Sequence, residues 1–173
     1  NLFRSLETWL AVKPDLEIIF TTIGRKASHY VAKTGRNLTA DFPAFLDKFT
    51  YEDTLSISQI ALDGFLNQDY REVYLGYMHF INTLSQKPHF TKILPITDLF
   101  ISSDDALKAE FSSAQYLFEP STESILNWLL PYYVELAIYQ AILNAQASEH
   151  SARMVTMKSA HDNATDITDS LTL

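Results

Sequence analysis

Cysteine does not occur among the 173 residues, which removes disulfides, thiolate metal ligands and cysteine nucleophiles together and suits a reducing compartment. Glycine is nearly as scarce. Four in the whole chain leave little material for the turns that cradle dinucleotides or polyphosphates. Basic residues are outnumbered, 13 Lys and Arg against 21 Asp and Glu for a formal charge of −8, and they are scattered. Phosphate backbones need clustered cations, so no nucleic acid is expected as partner. No apolar run approaches the ~20 residues of a membrane span, and "NLFRSLETWL" is not a signal peptide. The chain is therefore expected to stay out of a bilayer. It starts without Met inside an amphipathic pattern and reads as a piece cut at both ends. After Pro131, neither Gly nor Pro occurs up to Leu173, so an uninterrupted helix there would reach roughly 60 Å at 1.5 Å per residue.

What is present fits one globular domain with an appendage, since 47% hydrophobic against 20% charged residues is an ordinary balance for a packed core. Leu2, Phe3, Leu6, Trp9 and Leu10 recur at steps of three and four and predict an opening helix that Pro14 and Asp15 end. "LEIIFTTIG" is a near-continuous apolar, β-branched run, as in a strand covered on both faces. "RKASHYVAKTG" predicts a short helix with Gly35 as its stop. Asp53 or Thr54 is the expected cap of a third helix carrying Leu55, Ile60, Leu62, Phe65 and Leu66. "REVYLGYMHFIN" and "SQKPHFTKILPI" predict two strands whose short polar link favours an antiparallel pair. Residues 97–115 are expected to form a mobile polar connection, after which "FEPSTESILNWLLPYY" leads into the final helix. This order predicts an α/β layer fold. A helix opens the chain where a doubly wound fold opens with a strand, so a first strand is expected upstream.

Few residues are arranged for chemistry. The strand-to-helix turn "TTIGRKAS" sits where α/β folds hold phosphate on a helix N-terminus, but it lacks the Lys-Ser/Thr of a P-loop and the three-glycine spacing of a dinucleotide site. His150 and His161 share a helical face three turns apart, too far to chelate one ion. His29, His79 and His89 have no acidic or histidine partner at ligand spacing in the sequence. Asp104 with Asp105, and Glu149 beside His150, suit a solvated surface. "NLT" at Asn37 and "NAT" at Asn163 match the N-glycosylation pattern, which matters only in a secreted protein. The aromatics of "YVELAIYQAIL" are expected to pack in the core.

The terminal rod carries more information. Met154, Met157, Ala160 or His161, Ala164, Ile167 and Leu171 follow the three-four alternation of a coiled-coil seam. Charged positions from Tyr132 to Leu173 are few, and "DNATDITDSLTL" is poor in strong helix formers. Such a helix needs a second helix along it, and Ala145, Ala147, Ala152, Ala160 and Ala164 would allow close approach. The plain alternative is a helix packed on its own domain.

The residues from Tyr116 to Leu173, and in particular "ASEHSARMVTMKSAHDNAT" from Ala147 to Thr165, resemble the C-terminal region of the F-type ATP synthase gamma subunit, with that family's Ala-Ser-Glu, Ala-Arg-Met, Met-Lys and Asp-Asn signature. "NLFR", "IGRK" at Ile23 to Lys26 and "YMHFINTLSQKPHFTKILPI" are similar to further family segments in the family's order. The resemblance implies an α/β fold, a Rossmann-like α/β/α three-layer domain over residues 1–130, with a long C-terminal helix over 131–173 that forms half of an antiparallel coiled coil. It implies a noncatalytic central rotor stalk without cofactor or metal, whose partners are the alpha and beta subunits of the catalytic head, an epsilon subunit and the membrane c-ring. Arg153, Met154, Met157, Lys158, Asp162, Asn163, Ala164, Ile167 and Leu171 would serve the coil seam and the nearby stator surface, and Tyr116, Phe118 and Glu119 the ring and epsilon interface. The family's N-terminal coil helix and first strand would precede "NLFR", and its last helix would continue past Leu173. No cysteine-bearing chloroplast insertion is present, so the expected location is peripheral, at the cytoplasmic face of a bacterial inner membrane, ahead of the matrix side of the mitochondrial one. Two other classes are set against this reading: a nucleotide-binding α/β enzyme using Gly24 to Ser28, and a self-pairing coiled-coil scaffold.

Overall fold

The computed structural model describes residues 1–13, 16–43, 49–96 and 122–172, which divide into two units, Asn1–Asp53 and Thr54–Leu173. In the first, helix α1 (Leu2–Ala11) is followed by strand β1 (Ile19–Ile23), helix α2 (Arg25–Lys33) and strand β2 (Asn37–Phe42). The two strands pair in parallel from Ile19 opposite Asn37 to Ile23 opposite Phe42, with α2 as the crossover that parallel neighbours require. Gly24 takes φ 97°, a left-handed conformation that turns the chain from β1 into α2 at little steric cost, and its N–H donates to the Phe42 carbonyl at 2.8 Å. Gly35, at φ 67°, closes α2 as expected. Strand β1 is not covered on both faces: among its residues only Thr22 is buried, its hydroxyl donating to Asp41 Oδ1 across the pair at 2.8 Å.

Strand β2 went unread in the sequence because Asn37 and Asp41 disguise it. Helix α1 is tied to α2 and to the link that follows it by stacking of Phe3 on Tyr30, ring centroids 4.2 Å apart, and by the Glu7 carboxylate, which accepts from the Tyr30 hydroxyl and from Arg36 at 2.7 Å. The Arg36 bond, then the Tyr30 bond, hold the Glu7 carboxyl below its ordinary range. Tyr30 is raised, first by desolvation and then by Glu7.

The second unit contains most of helix α3 (Tyr51–Leu66), strands β3 (Val73–Asn82) and β4 (Ser85–Leu94), and the final helix α4 (Thr122–Thr172). The expected cap of α3 is corrected in detail. Thr50 precedes the helix and donates both its N–H and its hydroxyl to Asp53 Oδ2 at 2.9 Å, so Asp53 caps from within the first turn, while Thr54 is buried. Strands β3 and β4 pair antiparallel from Val73 opposite Leu94 to Asn82 opposite Ser85, as the short link requires. Helix α4 lies on β3 and, less extensively, on β4. Its 51 residues extend about 75 Å at 1.5 Å per residue. Pro131 lies inside it, where the missing N–H leaves the Asn127 carbonyl without its helical donor.

The mixed α/β class with a long C-terminal helix is what the chain shows. Among the described residues the strands form two two-stranded sheets, one parallel and one antiparallel, and no element covers the last turns of α4. The connection expected over 97–115 lies outside the described residues.

Candidate interaction face

Helix α4 has two apolar sides. Val134, Ile138, Ala141, Ile142, Ser148 and Ser151 are buried, and their three-four spacing gathers them on one face. That face seats on the hairpin of β3 and β4. The two serines fix it: the Ser148 hydroxyl donates to the Met78 carbonyl at 3.0 Å and the Ser151 hydroxyl to the Thr83 carbonyl at 2.9 Å. A hydroxyl on a buried helical face satisfies itself this way at little cost. Past Ser151 no described residue of α4 is buried. Val155 is half-buried, and Thr156 through Leu171 are all exposed.

The second apolar side is open. Trp128, Tyr132, Leu136, Leu143, Met154, Met157, Ile167 and Leu171 are all exposed, Met157 at 64% and Leu171 at 81%. At 3.6 residues per turn these positions centre roughly 140° round the helix from the seated face. Trp128 and Tyr132 stack, with centroids 5.4 Å apart. From Met154 the positions Met154, Met157, His161, Ala164, Thr168 and Leu171 alternate by three and four, with Ile167 alongside. The expectation that "YVELAIYQAIL" is core holds for Val134, Ile138, Ala141 and Ile142. Tyr133, Leu136 and Leu143 are exposed instead, because a helix touching a sheet on one side cannot bury apolar residues placed all round it.

Arg153, Met154, Met157, Lys158, Asp162, Asn163, Ala164, Ile167 and Leu171 are all exposed. Arg153 is engaged along its own helix, Nη2 to Glu149 Oε1 at 2.6 Å. Tyr116, Phe118 and Glu119 lie outside the described residues, as do Asp104 and Asp105. Around the Gly24 turn, Arg25, Lys26, Ser28, His29, Ala32 and Asp41 line a shallow depression. Among the described residues no three His, Cys, Asp or Glu side chains are grouped to hold a metal. One proximity escaped the sequence reading: His79 on β3 and His89 on β4 lie with ring centroids 5.8 Å apart. Ten residues apart in sequence, they meet only because of the strand register.

The chain is thus a mixed α/β fold carrying a long helix with one face seated on a hairpin and another exposed. A family model described as ATP synthase matches residues 1–173, and the chain belongs to the ATP synthase gamma-chain family. It is similar to the ATP synthase gamma chain of Roseiflexus sp. (strain RS-1), 42% identical over 151 residues, covering 87% of this chain and 50% of that protein. It is also similar to the ATP synthase gamma chain of Dehalococcoides mccartyi (strain ATCC BAA-2266 / KCTC 15142 / 195), 34% identical over 173 residues, covering 100% of this chain and 58% of that one. The chain thus spans about half the length of the curated relatives it matches. Among solved structures, the central stalk and c-ring of Tetrahymena thermophila mitochondrial ATP synthase gives a TM-score of 0.65 at 21% identity, covering 92% of this chain and 67% of that one. The rotor of Euglena gracilis mitochondrial ATP synthase gives 0.62 at 14%, covering 95% and 62%. At these identities the structural likeness shows a shared fold.

Proposed function

We propose that the chain works as part of a central rotor stalk, carrying torque between an ion-driven c-ring in the membrane and the alpha and beta subunits of a catalytic head, for ATP synthesis or hydrolysis. The observation that carries this reading is the open apolar side of α4, which continues for many turns beyond the body it seats on. In this reading residues 1–130 form the body and 131–173 the coil helix. Met154, Met157, Ala164, Ile167 and Leu171 form the seam against a second helix, Arg153, Lys158, Asp162 and Asn163 border it toward the stator, and Tyr116, Phe118 and Glu119 meet the ring and an epsilon subunit. The chain itself is noncatalytic. Among the described residues no helix is long and apolar enough to cross a membrane, and the proposed association is peripheral, through the complex, at the cytoplasmic face of a bacterial inner membrane.

The test is capture by purified alpha, beta, epsilon and c-ring subunits, using a version extended to the length of the curated relatives. Co-purification with head and ring is expected. Met157→Asp with Ile167→Asp places two charges in the seam and should abolish it while β3 and β4 stay folded. Failure of the unmodified extended chain to join either assembly would refute the stalk role. Calorimetry with ATP and ADP addresses the enzyme reading: no saturable binding is expected, and one-to-one binding lost in Arg25→Ala with Lys26→Ala would overturn the noncatalytic assignment.

A further inference from the structure

We propose that His79 and His89 form a two-ligand site for a borderline divalent transition-metal ion, Zn2+, Ni2+ or Cu2+, on the hairpin of β3 and β4. The strand register builds it. Tyr77 is directly opposite His89, and His79 directly opposite Lys87, so His79 and His89 are diagonal neighbours on one side of the ladder, a separation that long or aromatic side chains span. Their ring centroids are 5.8 Å apart with planes tilted by 46°. A metal bound to an imidazole nitrogen at about 2.1 Å lies about 3.2 Å from that ring's centroid, so two imidazoles on one ion have centroids about 5 to 6.4 Å apart. The observed spacing falls inside that window.

Two further features fit a ligand pair. Both histidines are exposed, which leaves an ion free access and room for the waters that complete its shell. Tyr77 stands edge-on to both rings, centroids 5.5 Å from His89 and 6.3 Å from His79, and restricts the rotamers they must give up on chelation. Neutral imidazole is the commonest protein ligand for these ions, and thiolate competition is excluded by the absence of cysteine. Lys87 is the opposing influence, a cation across from His79, and with only two protein ligands the site is weaker than a closed one. A bound ion would clamp β3 to β4 at a fixed register, and this hairpin is the seat of α4.

The experiment is titration of the chain with Zn2+, Ni2+ and Cu2+, followed by calorimetry, thermal melting and imidazole NMR. One ion per chain is expected, with Cu2+ tightest by the usual order of these metals, a raised melting temperature, and joint perturbation of the His79 and His89 ring signals. His79→Gln and His89→Gln should each weaken binding at least tenfold, while His29→Gln, His150→Gln and His161→Gln leave it unchanged. No binding by the native chain, binding that survives His79→Gln, or perturbation centred on other histidines would overturn the site. The NMR readout on the native chain decides even where a variant folds poorly.

Discussion

The two halves of α4 share one backbone and differ in everything else. From Val134 to Ser151 the helix gives a β-hairpin a face of branched aliphatics and two serines that bond its carbonyls. From Ala152 to Leu171 it carries methionine, alanine, isoleucine and leucine at coil spacing, and every residue there but Val155 is exposed. The lesson is that helical pattern and helical stability are separate properties. The inner half is held by burial. The outer half has the pattern, but with Asp, Asn and Thr prominent it lacks the propensity to persist alone, since most helical stability in proteins comes from packing.

The contrast breaks most sharply at isoleucine. Ile138 is 2% exposed, so Ile138→Ala should cost about 3 kcal/mol through lost burial and a cavity, whereas Ile167→Ala should change the stability of the isolated chain by less than about 0.5 kcal/mol. Urea denaturation of both variants measures the difference directly. Alanine gives the reverse experiment. Enlarging Ala141→Leu on the seated face should cost about 2 kcal/mol by overpacking, while Ala164→Leu should be neutral in the isolated chain, as thermal melting would show.

Serine sharpens the comparison at lower amplitude. Ser148→Ala removes the donor to the Met78 carbonyl and should cost about 1 kcal/mol, but Ser159→Ala, on exposed helix, should raise helicity slightly because Ala is the better helix former. Circular dichroism combined with denaturation separates the two. The smallest effect is expected at the junction of the halves. Arg153→Ala breaks the 2.6 Å pair with Glu149, an exposed bridge four residues apart contributing about 0.4 kcal/mol, and the loss should disappear in concentrated salt.

Local patterning revealed α1, α3 and the helical rod by apolar steps of three and four, β1 and both strands of the antiparallel hairpin by apolar or β-branched runs, and α2 by its Gly35 stop. It missed β2, because Asn37, Thr39 and Asp41 give that strand a polar face with no apolar alternation strong enough to mark it. It also placed the whole of "YVELAIYQAIL" in a core, because composition cannot say which side of an all-round apolar helix meets a neighbour. The three-four spacing of the exposed residues from Met154 to Leu171 was readable from the sequence alone, since such spacing is local and periodic. His79 and His89 were not. Their meeting depends on which residue of β4 falls opposite Tyr77, a tertiary fact with no local signature.

The central claim is that the outer half of α4 is a helix waiting for another helix. Amide hydrogen exchange of residues 152–172, measured on this chain as a proven monomer and again in a version extended to the length of its curated relatives, tests it most directly. Fast exchange in the monomer and strong protection in the extended chain, with residues 134–151 protected in both, is the predicted result. Equal protection of residues 152–172 in the two would contradict it.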